Sequence, residues 1–155
     1  MPVKWLPREK CLRLLKKAVY GRLATCGSNS EPYITPMNFV LFNDCIYFHC
    51  AFEGNKLENL HHNPRVCFEI SAAGKLYAAP LAKNFTMRYW SVLVFGEAKQ
   101  IDDPTLKLAV LNALMDKYAR GYQYSPLQFE DTAIVNIVEI AIHKISGKVS
   151  VDPPK

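Results

Sequence analysis

The chain has 155 residues, of which 50% are hydrophobic and 21% charged. That suits one domain with a packed core and excludes the disordered and low-complexity classes. A formal charge of +5 taken alone invites a nucleic-acid or acidic-ligand reading.

The excess charge is confined to one element. Residues 1–22 hold Lys4, Arg8, Lys10, Arg13, Lys16, Lys17 and Arg22 against Glu9 alone, and the remainder is nearly neutral. A single basic helix face is ordinarily solvated surface, so no nucleic-acid partner is expected. Basic residues interrupt every apolar run at the N-terminus, which argues against a signal peptide. No run approaches the ~20 apolar residues that span a bilayer, so no membrane association is expected. Cys11, Cys26, Cys45, Cys50 and Cys67 are odd in number and form no C-x-x-C pair. Reduced thiols and a cytoplasmic location follow, with most of these cysteines serving as small core residues.

In chain order, a helix is predicted over residues 7–19, with Pro7 in its first turn and an apolar stripe of Cys11, Leu12, Leu15, Ala18 and Val19. Residues 20–26 read as a strand, 27–30 as a turn, and 32–42 as a longer strand containing Pro36. Proline has no N–H for a ladder, so Pro36 marks an edge, a bulge or a functional kink. Residues 43–44 are a turn, 45–50 a third strand and 56–62 a short helix ended by Asn63-Pro64. A strand over 65–71 follows, then an unassigned stretch over 72–87 and a long strand over 88–101. Asp102-Asp103-Pro104 caps a helix over 105–118, residues 121–131 are irregular, and 132–144 is a final strand. Six or seven strands in adjacent hairpins suggest an antiparallel meander closing into a small barrel. The final strand is apolar on both faces, and a second subunit is one source of cover for it.

Three segments carry candidate chemistry. From Tyr47 to Lys56 a strand ends, a loop with one glycine follows, and a helix begins at a lysine. Unpaired helix N-terminal amides, Lys56 and His49 there make a phosphate cradle; the plain alternative is an ordinary strand–loop–helix junction. Pro36-Met37-Asn38-Phe39 is the second: freed backbone facing a planar ligand, or simply an edge-strand proline. Trp90 and Ser91 interrupt a strongly apolar strand, as a stacking surface and a ligand contact, or as a half-buried core ring and a satisfied hydroxyl. There is no G-x-S-x-G, P-loop, G-x-G-x-x-G or C-x-x-C-H pattern. His49–Cys50 and His61–His62 are adjacent pairs, a spacing that supports no metal site.

The order of Gly21–Thr25, Pro32–Val40, Ile46–Ala51, Gly54–Leu60, Asn63–Glu69, Ser91–Ala98 and Ile145–Lys148 resembles the FMN-binding split-barrel family related to pyridoxamine 5′-phosphate oxidase. Within it the chain is most similar to the nitroimidazole-resistance-type flavoproteins, over about residues 8–148. The resemblance implies one domain over 1–155, a six-stranded antiparallel split β-barrel with a C-terminal tail at 149–155. It also implies a homodimer with the cofactor at the subunit interface. Thr35, Pro36, Met37 and Asn38 would line the isoalloxazine ring, His49, Cys50, Ala51 and Lys56 would surround the phosphate end, and Trp90 and Ser91 would contact the cofactor from the long strand. The family position of Cys50 is often serine or threonine, and a thiol is the weaker donor. Asn55 stands where a basic or small residue is common.

The implied cofactor is FMN, with FAD the alternative flavin and haem disfavoured. The implied activity passes electrons from NAD(P)H to a small acceptor such as a nitroaromatic, with His49 as a proton shuttle or as a hydrogen-bonding group. Pyridoxamine 5′-phosphate oxidase activity is the weaker expectation, because the arginine-rich C-terminal substrate motif of that enzyme is missing. A flavin or haem carrier without turnover is the alternative class.

Overall fold

The structure is a computed structural model that describes residues 3–150. Its elements in order are β1 (Val3–Leu6), α1 (Arg8–Lys17), β2 (Gly21–Cys26), β3 (Pro32–Met37), β4 (Val40–Phe42), β5 (Cys45–Cys50), α2 (Asn55–His62), β6 (Arg65–Tyr77), β7 (Thr86–Ile101), α3 (Pro104–Tyr118) and β8 (Asn136–Ser150). The eight strands form one antiparallel, curled sheet in the order β3-β2-β6-β7-β8-β5-β4, with β1 paired to the far half of β8. This is a split barrel. It is not a simple meander: β2–β3, β4–β5 and β6–β7 are local hairpins, but β2 reaches across to β6 and β5 to β8.

The strand count exceeds the six or seven expected from the sequence, because β1 is short and set in the basic segment and β3 and β4 divide the predicted 32–42 strand. Helix α1 is shorter than the predicted 7–19; Pro7 is its cap, and Ala18 closes it by donating its N–H to Leu14 O at 2.9 Å. The unassigned 72–87 stretch is largely strand, since residues 72–77 pair with 86–90 despite an irregularity between Ala73 and Leu76. Pairing there overrides the weak local strand preference of Ala72-Ala73-Gly74. The final strand begins at Asn136 rather than Thr132 and runs to Ser150, so the first two residues of the predicted 149–155 tail belong to it. Residues 151–155 of that tail lie outside the described residues. Its delayed start has a local cause. Gln128 N–H donates to Asp131 Oδ2 at 2.8 Å and Thr132 Oγ1 donates to Phe129 O at 2.7 Å, which holds Phe129–Ile134 in a tight helical turn.

The main core lies inside the curl. Cys11 and Leu15 of α1, Leu57 and Leu60 of α2, and Leu23, Phe39, Phe48, Phe68, Val92, Val138 and Ile140 from the sheet and its edge form it. A smaller core covers the outer face of β8, where Val110 and Leu114 of α3 pack on Val40, Tyr47, Ile101 and Ile137. The cover that the two-faced β8 pattern calls for is therefore supplied, at Ile137, by α3 of the same chain. Each such buried aliphatic contributes about 1.5–3 kcal/mol. The one acid on that face, Glu139, accepts from Tyr47 Oη at 2.5 Å and pairs with Lys99 at 3.0 Å.

A β-bulge bends β8. Phe95 faces Lys144 and Gly96 faces Ile142, so His143 is the extra residue. The bend lets β8 leave β5 after Ala141 and take up β1 from Gly147. Gly96 is required there, because a Cβ would lie 1.9 Å from the Ala141 carbonyl oxygen.

Candidate functional site

The site is built around a break in the sheet. β3 pairs only with β2, which makes it an edge, and its Pro36 lies opposite Arg22 where a missing N–H is tolerated. After Met37 the chain leaves the ladder for two residues. Phe39 turns its ring inward, edge-on to Phe68 at 4.8 Å. Both its backbone groups are held by the last turn of α3. Tyr118 Oη accepts from Phe39 N–H at 3.0 Å and lies 2.9 Å from Phe39 O and 2.6 Å from Val19 O, to either of which it can donate. Lys117 Nζ donates to Phe39 O at 2.8 Å and sits 3.9 Å from the centre of the Phe39 ring. Burial pulls the Lys117 ammonium down to about 8. This clamp leaves Asn38 exposed.

The second component is the β5–α2 junction. His49 is exposed at the end of β5, opposite Ile137, and Cys50 lies opposite Asn136. Asn136 Nδ2 donates to Cys50 Sγ at 3.7 Å. Burial pushes the Cys50 thiol up, while the positive charge of Lys56 and the Asn136 hydrogen bond oppose that. Cys50 is therefore a protonated thiol at neutral pH. Gly54 precedes α2 with φ of 129°, a backbone conformation that favours glycine. Its carbonyl accepts from Leu57 and Glu58 N–H at 2.9 and 3.2 Å, and no side chain caps the helix. That leaves the Asn55 and Lys56 amides, at the first two positions of α2, without a partner in the helix.

A cleft of about 540 Å³ is lined by Asn38 and His49 together with Leu111, Leu114, Met115 and Tyr118 of α3 and with Asp131 and Val135, whereas Thr35, Pro36, Met37, Cys50, Ala51 and Lys56 do not line it. The α3 side chains were legible only as a helix's apolar stripe, and nothing in the sequence pointed to Tyr118 or Lys117. Trp90 and Ser91 do not join this cleft. Ser91 sits between Ser71 of β6 and Lys148 of β8, and Trp90 lines a separate recess of about 370 Å³ with Ala72, Gly74, Tyr89 and Val149. Among the described residues no helix is long and apolar enough to cross a membrane, and no three His, Cys, Asp or Glu residues converge as a metal site.

Residues 7–149 match the family described as pyridoxamine 5′-phosphate oxidase. The chain belongs to the pyridoxamine 5′-phosphate oxidase family. A search of curated proteins finds no match. Among solved structures the chain is similar to a candidate 5-nitroimidazole antibiotic resistance protein from Bacteroides thetaiotaomicron. That pair is 26% identical, with 96% of this chain and 89% of the other covered and a TM-score of 0.80. The FAD- and haem-binding protein of Mycobacterium smegmatis shares the fold at 22% identity, covering 98% of this chain and 76% of its own, with a TM-score of 0.85. The flavocytochrome Anf3 of Azotobacter vinelandii shares it at 24% identity, covering 99% and 71%, with a TM-score of 0.81.

In this member of the pyridoxamine 5′-phosphate oxidase family, the ten residues singled out from the sequence thus fall into two places. Thr35–Asn38, His49–Ala51 and Lys56 surround the strand break and the β5–α2 junction, whereas Trp90 and Ser91 stand on the long β6–β7–β8 face. One polar atom in the first group has no role within the chain: Thr35 Oγ1 is buried and has no hydrogen-bond partner.

Proposed function

We propose that this chain is a homodimeric, flavin-binding oxidoreductase that takes FMN, or alternatively FAD, in the Asn38–His49 cleft. It would pass electrons from NAD(P)H to a small acceptor such as a nitroaromatic. The observation that carries the reading is the mainly apolar cleft that brings Asn38 and His49 together, in a chain of the pyridoxamine 5′-phosphate oxidase family. Thr35 Oγ1 does not line that cleft but sits in β3 three residues before Asn38; a buried hydroxyl without a partner costs about 1–3 kcal/mol, which a bound group reaching it would relieve. The rest of the lining suits the same group. The cleft is mainly apolar, as a planar ring requires, and carries Asn38, His49, Tyr118 and Asp131 as polar points. The uncapped α2 N-terminus and Lys56 supply positive potential for a phosphate.

Each residue then has a task. Thr35 and the backbone of Pro36–Asn38 hold and orient the ring edge, and the Phe39 clamp fixes that backbone. Leu111 and Met115 exclude water from the ring face. Lys56 and the first amides of α2 neutralise the phosphate, with Cys50 and Ala51 packing beside it. His49 donates or accepts one hydrogen bond at the cleft mouth. Bound flavin supplies hydride acceptance from the nicotinamide and electron delivery to the acceptor. Trp90 and Ser91 stand apart from this cleft within one chain, which supports a site completed by a second copy. Exposed Ile34 and Ile134, at 63% and 79% accessible, supply apolar surface for that contact.

The test is reconstitution with FMN followed by anaerobic NADH or NADPH. Bleaching at 450 nm is expected, with Lys56→Ala weakening flavin affinity by about tenfold or more, as loss of a charged contact should. Flavin that binds but is not bleached would make the chain a carrier. A Soret band in place of flavin absorbance, or unchanged affinity in Lys56→Ala, would overturn the assignment of the site.

A further inference from the structure

The C-terminal ends of α1 and α3 meet over a second recess, of about 400 Å³, lined by Lys16, Lys17, Val19, Lys117, Tyr118 and Arg120. Four of its six lining residues are cations and none is an acid. The ion pairs Arg13–Glu9, Arg22–Glu69 and Lys99–Glu139 involve none of these four. Asp116, one turn before Arg120, lines an adjoining recess together with Arg120, Tyr122 and Tyr124, so one of the four, Arg120, has an acid nearby. The helix ends account for part of the clustering: each C-terminus carries about half a unit of negative charge, so two of them offset about one cation. Lys16, Lys17 and Lys117 supply the remaining positive charge, and no acid lines the recess beside them. This charge is also not all free to spread into solvent, because Lys117 is half-buried and fixed to Phe39 O at 2.8 Å. A recess that concentrates unpaired cations against a low-dielectric wall focuses its field on an anion.

The recess is not isolated. Tyr118 lines it and also lines the cleft that holds Asn38 and His49. The phosphate end of the flavin has its own proposed cradle at Lys56, so these cations are available to a different anion.

We propose that Lys16, Lys17, Lys117 and Arg120 form an anion subsite for the phosphate groups of the reduced nicotinamide dinucleotide, placed so that its nicotinamide reaches the cleft past Tyr118. The anion subsite stands on the cation cluster; only its assignment to the dinucleotide rests on the reductase reading above.

Two measurements separate those parts. In the first, sodium pyrophosphate is titrated into the protein while the Lys117 side-chain NMR signals and the amides of 16–19 and 118–120 are followed. Saturable shifts are expected, and they should vanish in the triple variant Lys16→Glu, Lys17→Glu, Arg120→Glu, whose substituted side chains are all exposed. Absence of saturable shifts at millimolar pyrophosphate would overturn the subsite. In the second, the flavin-loaded triple variant should show KM for NADPH raised by about tenfold or more at nearly unchanged kcat, with flavin affinity intact. A fall in flavin affinity instead would move the subsite to the flavin's own phosphates and overturn the dinucleotide assignment. Pyrophosphate shifts in a protein whose flavin neither NADH nor NADPH bleaches would overturn the reductase reading and the dinucleotide with it, while leaving the anion subsite established.

Discussion

Substituting Tyr118→Phe removes one oxygen from the chain and disturbs three hydrogen-bond contacts at once. Phe39 N–H loses its acceptor at 3.0 Å, and Val19 O, 2.6 Å away, loses its donor. Phe39 O keeps Lys117 Nζ at 2.8 Å, so it is not orphaned. The dominant cost is the N–H of Phe39, a residue with no solvent exposure. An unpaired buried donor costs about 1–3 kcal/mol. With a urea slope of about 1–3 kcal/mol per molar for a domain of this size, the midpoint should fall by roughly 1 M. Urea unfolding followed by tryptophan fluorescence measures this directly. Tyr122→Phe is the control, since Tyr122 is 76% exposed and its variant should match the parent. The same variant pair should differ in flavin affinity, because the Phe39 clamp holds the backbone next to Asn38. A Tyr118→Phe midpoint within about 0.2 M of the parent would refute the reasoning: the Phe39 amide would then have another partner, and α3 would not fix the strand break.

Thr35→Val removes the orphaned hydroxyl while keeping the branched shape, so the ligand-free protein should gain about 1 kcal/mol while flavin affinity falls; equal or tighter flavin binding would take Thr35 out of the site. Gly96→Ala places a methyl 1.9 Å from the Ala141 carbonyl oxygen and should cost at least about 2 kcal/mol in thermal or urea unfolding; an unchanged midpoint would mean that the β8 bulge rearranges freely. Lys117 has its pKa lowered from the ordinary 10.5 to about 8 in the folded protein, so the unfolded chain holds the extra proton between those values. Stability linked to this group is therefore greatest above pH 10.5 and is lost as pH falls through about 8. The urea midpoint of the parent should rise relative to that of Lys117→Met between pH 7 and pH 10, and a pH-independent difference would contradict the burial of that ammonium.

How much of this was legible in the sequence depended on how local its cause was. The β5–α2 junction was readable because its determinants are neighbours: Gly54 needs a positive φ, the helix starts immediately after it, and Lys56 lies in its first turn. Pro36 likewise announced an edge strand, because a missing N–H constrains any ladder it enters. The strand break was not readable. Pro32–Phe42 has continuous strand chemistry, and what divides it is a tyrosine hydroxyl from 79 positions away competing for Phe39. The 72–77 segment went unassigned for a related reason. Its small residues carry little strand preference of their own and become strand by pairing with 86–90. The double-sided apolar pattern of β8 did require cover, but the pattern does not name the source, and α3 provides it at Ile137. The grouping of Trp90 and Ser91 with Asn38 came from resemblance alone; within one chain they stand on separate recesses.

Flavin binding is the claim on which the rest depends. Its most direct test is the absorbance spectrum and mass of the small molecule released when the purified, flavin-reconstituted protein is denatured. The reconstituted protein should be yellow, absorb near 450 nm and release FMN or FAD at about one per chain. Retention of no flavin after reconstitution, or release of haem with a Soret band in the native spectrum, would contradict it.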